Sequence, residues 1–551
     1  MHPVRCPYPL LVPVIAALAP MSPAARAGAP APFTEEAGAR GIDYTVDQPQ
    51  GYGQGVAFVD LDNDGDPDVV LVGRAGGQVG VYENDGTGHF IDRSATSGIP
   101  FLSSSSGISA ADYDRDGRLD LYFSCWLQPN RLLHNDGNFT FSDTTAAAGV
   151  GDANSGAGCG WGDYDLDGHI DLYLANWGEP NRLYHNLGNG TFEEVAVALG
   201  VDRGDDRTFQ GTFFDFDKDN DLDLYLATDK ANNCSSPDRH NHLYENVGGA
   251  FVDITEQSGT AACLDAMCVA LGDFDNNLFQ DIYVTNTESG NALLMNEGNG
   301  TFSAEEVVAG VESHAIGWGS VFFDYDNDGI QDLYVCNTFF GDNRLYRHEG
   351  AWPCVNISGA VGTSCPGLSF ACAAADIDGD GDGDLLVMNL SEPIRLYVNH
   401  EGQRRRWAKF DIVAEGQDVA AIGARVRIHH GLKRQLREVV AGSNYKSQNE
   451  FNLHFGVNSS TLLDEVSVAW PGGTTRTLAN LETNQTYRIY PPQRLGDSDE
   501  SGVVDFDDVD DFAAVLVGAD TDPNHALLSD MNGDWTVDGH DMEGFIAAVA
   551  P

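Results

Sequence analysis

The chain is poor in positive charge: 30 lysines and arginines stand against 84 acidic residues in 551, a formal net charge of −54. A surface of that sign repels phosphate backbones, so nucleic acid is not expected as a partner. Apolar runs are short. Beyond the N-terminal segment none reaches the roughly 18 residues that a transmembrane helix needs. Catalytic signatures are missing as well: there is no His-Glu-x-x-His, no nucleophile elbow and no phosphate loop. Histidines are scattered, and His134 and His185 recur at equivalent positions, as structural residues do. Asn176, Asn286, Asn337 and Asn389 recur likewise and read as residues that tie turns. Of ten cysteines, Cys6 lies in a segment expected to be removed, so an odd number remains and at least one stays unpaired. Cys263/Cys268 and Cys354/Cys365/Cys372 lie close in sequence and Cys234 sits in a long repeat, leaving disulfides open, while Cys125, Cys159 and Cys336 read as buried thiols.

What the chain has in abundance is aspartate at fixed spacing. An acidic nonapeptide, D-x-D-x-D/N closed by Asp at its ninth position, starts at Asp60, Asp112, Asp163, Asp215, Asp273, Asp324 and Asp376, in steps of 52, 51, 52, 58, 51 and 52 residues. Calcium takes six to eight oxygen ligands, so a short loop must curl around it. Carboxylates at positions 1, 3, 5 and 9, an oxygen at 7 and a Gly at 6 for the sharp turn meet that need. The first copy presents Asp60, Asp62, Asp64, Asp66 and Asp68, the second Asp112, Asp114, Asp116 and Asp120, and the third Asp163, Asp165, Asp167 and Asp171. The sixth presents Asp324, Asp326, Asp328 and Asp332, and the seventh Asp376, Asp378, Asp380, Asp382 and Asp384. The fourth (Asp215, Asp217, Asp219, Asp221, Asp223) has Asn220 in place of Gly. The fifth (Asp273, Asp275, Asn277, Asp281) has lost a charge and its Gly, and is expected to be the weakest site. Magnesium, which keeps more of its water, fits these loops less well than Ca2+.

Short apolar runs flank each loop, such as Val56–Val59 before the first and Leu172-Tyr173-Leu174 after the third. They read as buried strands joined by the loop. Asn181–Asn186, the turn Gly188-Asn189-Gly190 and Thr191-Phe192-Glu193 add a third and a fourth strand. Four strands per unit of about 50 residues predict a mainly β chain, a seven-bladed β-propeller. The seventh unit lacks its fourth strand, and Phe33–Gly38 resembles the fourth strands of other units, so residues 33–40 are expected to complete blade seven and close the ring. At this point residues 33 to about 400 resemble the FG-GAP/VCBS-type repeats, as in the integrin α-chain propeller, whose blade hairpins carry such calcium loops.

From Trp407 the loops stop. Ala408–Val413, Ala424–Ile428, Gly442–Asn449, Leu453-His454-Phe455-Gly456 and Val466–Gly473 resemble the ASPIC/UnbV domain, found in bacterial secreted proteins and in the cartilage acidic protein family; a small β-rich domain is expected there. Its basic residues, Arg404, Arg405, Arg406, Arg425, Arg427, Lys433, Arg434 and Arg437, read as a solvated face or a dock against the acidic propeller; a polyanion surface is the sharper alternative. The last residues present a second kind of loop. Asp497, Asp499, Ser501, Asp505 and Asp508 form one, and Asp530, Asn532, Asp534, Asp538 and Asp541 the other, each before a helix-like stretch. This is EF-hand-like spacing with Asp at the twelfth position, Trp535 replacing Gly in the second loop. The pair resembles a dockerin, which implies a cohesin-like partner; a calcium-stabilised tail without one is the alternative.

At the N-terminus Arg5, the apolar run Leu10–Ala19 and Ala25-Arg26-Ala27 read as a signal peptide cleaved after Ala27. The expected organisation is a signal peptide over 1–27, a propeller over 28–403, an ASPIC/UnbV-like domain over 404–491 and a small α-helical dockerin-like module over 492–551. Taken together, the sequence predicts a secreted calcium-binding adhesion or interaction protein that grips proteins or glycans at the cell surface or matrix. An extracellular polysaccharide-active lyase or hydrolase on the same propeller is the runner-up.

Overall fold

The computed structural model describes residues 31–47, 53–229, 240–287, 290–339, 341–414, 419–497, 504, 508–531 and 537–549. The expected signal peptide lies outside them. Seven four-stranded antiparallel sheets follow one another, the first built from Val56–Val59, Asp68–Leu71, Gly80–Asn84 and Phe90–Asp92. The seventh takes Ser369–Ala375, Asp384–Asn389 and Arg395–Asn399 from the end of the array, and Phe33–Glu35 from its start. Phe33 pairs with Asn399 and Glu35 with Tyr397. First strands touch their neighbours all the way round, blade seven meeting blade one. The mainly β propeller expected from the period is what the chain forms.

The first strands are rich in small residues because they crowd the axis. A Cβ on Gly107 would stand 2.8 Å from the Ala157 carbonyl oxygen, and one on Gly160 would stand 2.8 Å from that of Gly211. Second strands carry the larger apolar side chains, such as Leu121, Tyr122 and Phe123, all fully buried. Blades two to six add a feature that the sequence reading did not foresee: a one-turn helix after the fourth strand, for example Ala196–Leu199, ended by a glycine in the left-handed region (Gly200, φ 73°).

Neighbouring blades are stapled by an asparagine that ends the third strand. Asn135 donates to the Leu61 carbonyl, Asn186 to Tyr113, Asn246 to Tyr164, Asn296 to Phe216, Asn399 to Tyr325 and Asn84 to Ile377, each reaching into the preceding blade's loop. Blade six carries His348 there, which packs at 4.8 Å on the Phe274 ring of blade five.

The chain after the ring forms two small sheets and a two-stranded pair, Leu462–Leu463 with Leu481–Glu482. In one, Arg406–Ile412 lies between Leu453–Asn458 and Thr486–Ile489; the other joins Lys433–Glu438, Arg425–His430, Glu465–Ala469 and Thr475–Leu478. Phe410, Phe455 and Tyr487 pack between them. Helices Val509–Leu516, Pro523–Ser529 and Asp541–Val549 follow, with the Phe512 and Phe545 rings stacked at 4.0 Å. Arg476 fastens this tail by donating to the Leu527 carbonyl at 2.6 Å.

Candidate metal centres

Each Asp loop is shaped by its own backbone before any ion is considered. One oxygen of the first aspartate accepts the N–H of the sixth residue: Gly65 to Asp60 at 3.0 Å, Gly117 to Asp112 at 2.9 Å, Gly168 to Asp163 at 2.9 Å, Asn220 to Asp215 at 3.0 Å. Leu278 to Asp273, Gly329 to Asp324 and Gly381 to Asp376 complete the set at 3.1, 2.7 and 3.2 Å. This sixth residue is left-handed whatever its identity, from Gly65 at φ 93° to Asn220 at 77° and Leu278 at 73°. The fourth position is left-handed too, for example Arg115 at φ 63° and Leu166 at 59°, although only blade seven has a glycine there (Gly379, φ 67°).

The ninth aspartate does more than the spacing suggests. Asp120 accepts the Tyr113 N–H on one oxygen and the Asn135 N–H on the other, at 3.2 and 2.8 Å. Asp68, Asp171, Asp223, Asp281, Asp332 and Asp384 repeat this brace between the loop and the third strand. An ionised carboxylate has about four lone-pair sites, so each still has capacity for a cation. Burial, reinforced by neighbouring carboxylates, pushes Asp60 up to about 7, Asp324 to about 8, and Asp120 and Asp171 to about 9.

Several of these carboxylates converge. Oxygens of Asp60, Asp62 and Asp68 lie within 4.8 Å of one another, as do those of Asp112, Asp114 and Asp120 and of Asp163, Asp165 and Asp167. Buried oxygens of Asp60, Asp165, Asp221, Asp376 and Asp382 have no hydrogen-bond partner. Of the tail positions, Asp499, Ser501, Asp505, Asn532 and Asp534 lie outside the described residues. Asp497 is held by Arg494 at 2.7 Å, and Asp541 accepts the Asp538 N–H at 2.8 Å.

The small β domain reaches into the loops of blades four to seven. Arg425 Nη1 stands 2.6 Å from Asp215, Arg405 2.6 Å from Asp326, and Lys409 Nζ 2.9 Å from Asp376 and 3.2 Å from Glu450. Lys433 donates to the Asp328 carbonyl at 2.6 Å, and burial lowers the Arg437 guanidinium to about 10, opposed by the nearby Asp273 and Asp324. The basic cluster noticed in the sequence thus divides. Arg405, Arg425, Lys433 and Arg437 dock on the propeller, while Arg404 pairs with Glu401 and Arg427 with Glu465 inside their own region. Lys409, missed in the sequence, is the most deeply paired of all.

Between those contacts, residues 441–450 enter the axis of the ring. Phe58 donates its N–H to the Gln448 carbonyl, Ile108 to Lys446, Trp161 to Ala441, and Asn444 donates to Val269, all at 3.0–3.1 Å. Gln210 and Thr212 hold the Gly442 carbonyl, and Asn449 accepts the Ala374 N–H. Inner strands of six blades therefore grip one segment. Asn444, Tyr445 and Lys446 are all left-handed (φ 65°, 107° and 57°), a costly run sustained by that grip. Lys446 reaches Ser106 at 2.7 Å, and burial lowers it to about 7.

The remaining sequence expectations fall as follows. Asn176, Asn286 and Asn337 donate to the carbonyls of Pro180, Gly290 and Asp342, closing the turns after their strands. Cys268, Cys354, Cys365 and Cys372 are free, as are Cys125, Cys159 and Cys336; Cys263 is disulfide-bonded. The close pair Cys263/Cys268 is therefore not a bridge: Cys268 faces the axis and bonds the Asn444 carbonyl instead. No helix among the described residues is long and apolar enough to cross a membrane.

Comparison with known proteins agrees with this organisation. The FG-GAP-like repeat model matches residues 45–123, 163–226, 273–335 and 324–387, and the ASPIC and UnbV model matches 414–495. Cartilage acidic protein 1 of Mus musculus is 23% identical over 491 residues, covering 82% of this chain and 66% of that protein; the Xenopus tropicalis protein is 25% identical, covering 80% and 73%. The chain thus spans just under two thirds of the mouse protein. A solved Agrocybe aegerita lectin, described for recognition of non-reducing terminal N-acetylglucosamine, matches 62% of this chain and 86% of its own with 19% identity and a TM-score of 0.35, too low to argue from. The chain is a propeller protein with FG-GAP-like repeats and an ASPIC/UnbV domain.

Proposed function

We propose that this chain is a secreted, calcium-stabilised interaction protein whose propeller presents a binding platform and whose helical tail serves attachment. The observation that carries the reading is the set of buried, unpartnered aspartate oxygens in loops already curled by their own backbone. The donors fit a hard divalent cation: they are oxygens only, clustered, and held up in pKa by burial and by one another. Asp60, Asp62, Asp64 and Asp68 would hold it in blade one, with the corresponding positions of the other loops. Bound calcium supplies the positive charge that lets these carboxylates stay ionised side by side.

Similarity to cartilage acidic protein 1, together with the FG-GAP-like repeats, supports an extracellular interaction role. Neither matching family model is that of a catalytic family. The face opposite the Asp loops carries exposed Phe101, Leu127 and Phe339 on inter-strand loops, where propeller specificity resides. Calcium titration by calorimetry, followed by capture from the native extracellular fraction with and without calcium, tests the reading. Heat of binding and calcium-dependent capture are expected, whereas turnover of a glycan substrate would overturn it.

A further inference from the structure

The seven loops differ at one position that the aspartate pattern does not include. The residue before the stapling asparagine or histidine of the third strand stands beside the loop of its own blade: Glu83, His134, His185, Glu245, Met295, Arg347 and Val398 in blades one to seven. Blades one and four thus offer a hard oxygen there, and blades two and three an imidazole. In blade six the place is taken by a cation, Arg347, 2.9 Å from Asp326. Loops that look alike in their aspartates therefore present different donor sets.

In blade two the imidazole is built into the cluster. His134 Nε2 lies 3.3 Å from Asp114 Oδ2 and 3.2 Å from Asp116 Oδ2, and the three ligand atoms form one group within 4.8 Å. Neighbouring ligands on a metal with bonds of about 2.0–2.2 Å stand roughly 3.0–3.5 Å apart, so these separations match adjacent corners of a first-row coordination sphere. The other ring nitrogen, Nδ1, is held by Asp136 Oδ1 at 2.8 Å. A carboxylate on the far nitrogen is the support that metal-ligating histidines characteristically have, because it fixes the ring and its tautomer. Arg118 Nη2 also bonds Asp116 Oδ2 while its Nε donates to the Asn135 carbonyl at 2.7 Å, so a cation at this site must displace the Nη2 contact of a 36% exposed side chain. Blade three has only half of this arrangement. His185 Nδ1 is 3.4 Å from Asp165 and 3.2 Å from Asp171, but that Asp171 oxygen already accepts the Asn186 N–H, and no carboxylate bonds the far nitrogen among the described residues.

We propose that the blade-two loop is a mixed nitrogen–oxygen site for a borderline first-row ion such as Zn2+ or Co2+, with His134 joining Asp114 and Asp116 as ligands and Asp136 positioning the ring. Imidazole suits these ions, whereas calcium has little use for a nitrogen donor. The inference rests on the reading that the loops hold cations, and singles out one of the seven for a different metal.

The test uses the full chain, stripped with chelator and returned to millimolar calcium, then titrated with Co2+ and followed by its visible absorption and by bound stoichiometry. One equivalent of Co2+ is expected to resist the calcium excess. His134→Gln should weaken it about 100-fold, and Asp136→Asn about 10- to 100-fold, the range for an outer-shell partner. His134→Glu writes into blade two the residue that blades one and four carry; it should abolish the cobalt preference while the melting temperature in calcium is kept. Cobalt bound equally well by His134→Gln, or displaced by calcium in step with all other loops, would overturn the proposal. Failure of the calcium reading is seen separately, as an absence of heat in a calcium titration, and the cobalt titration in calcium-free buffer would still report on His134.

Discussion

Blades one to three and blades four to seven write nearly the same aspartate loop and neutralise it differently. In the later blades the small β domain and the strand that leads into it bring Arg425, Arg437, Arg405 and Lys409 to the carboxylates, and Lys409 and Asp376 are both almost wholly buried. In the first three, no side chain of that domain forms an ion pair with Asp60, Asp112 or Asp163 among the described residues; their oxygens face backbone N–H groups and one another. A repeat that is uniform in sequence thus becomes two electrostatic environments in the folded chain. On the proposed reading, blades one to three depend more heavily on dissolved cations, with Arg118 beside Asp116 and the more distant Lys409 near Asp66 as local help, whereas blades four to seven carry much of their neutralisation covalently attached.

The largest expected effect follows from that dependence. A ligand at one hundred times its Kd stabilises by about 2.7 kcal/mol per site, so emptying several sites should lower the melting temperature by tens of degrees. The loss should not be even. Hydrogen exchange in chelator is expected to accelerate first in strands such as Asp68–Leu71, Asp120–Cys125 and Asp171–Asn176, and later in Asp332–Thr338 and Asp384–Asn389. Uniform exchange across the seven blades would break the comparison, and indifference of the melt to chelation would remove its basis.

A smaller and more local effect should come from the domain's cations. Lys409→Met leaves Asp376 and Glu450 buried without their cation, which typically costs about 3–5 kcal/mol. In chelator the comparison variant Asp62→Asn, which removes one of several repelling carboxylates, should be neutral or stabilising by up to about 1 kcal/mol. Equal losses in urea unfolding would mean that the two groups of blades are neutralised alike.

Much of this was legible in the sequence, and what was not has a common cause. Period and alternation are local, so the blade count and the strands flanking Asp60 or Asp163 follow from spacing alone. The unpaired seventh unit even pointed to Phe33–Glu35, because a ring leaves no edge. Lys409, Lys446 and the stapling Asn84 or Asn135 were not visible, since their partners lie in other blades or another domain. The two-fold part played by Asp120 or Asp171 was hidden similarly: the donor from the third strand is 15 residues away. Leu278 announced a damaged loop but not that its backbone would keep the left-handed turn regardless.

A third effect concerns the segment that touches both groups of blades. Lys446 is buried at the axis, and burial lowers it from 10.5 to about 7. Between those values the unfolded chain binds a proton that the folded chain does not, so this group makes stability rise with pH, by about 1.4 kcal/mol per unit within the window. Glu438 and Glu450, raised by burial to about 8 and about 7, work in the opposite sense, so the difference between wild type and Lys446→Met isolates the lysine. Urea midpoints at pH 7 and 9.5 should show wild type gaining on the variant; a constant gap would show that the lysine keeps its proton in the ring.

The smallest effect tests whether blade five belongs with its neighbours by default or by design. Leu278 holds the place of Gly117 or Gly329 at φ 73°, a conformation that costs a branched residue about 1–2 kcal/mol. Leu278→Gly relieves that strain but makes the unfolded chain more flexible, offsetting about 0.5–1 kcal/mol of the gain. A net gain of about 0.5 kcal/mol in chelator is therefore expected from urea unfolding. Calcium affinity of the loop should nonetheless stay low, because the Leu436 N–H and nearby Arg437 already engage Asp273. If Leu278→Gly alone restored a calcium site equal to that of blade one, the turn and not the docked domain would be what sets blade five apart.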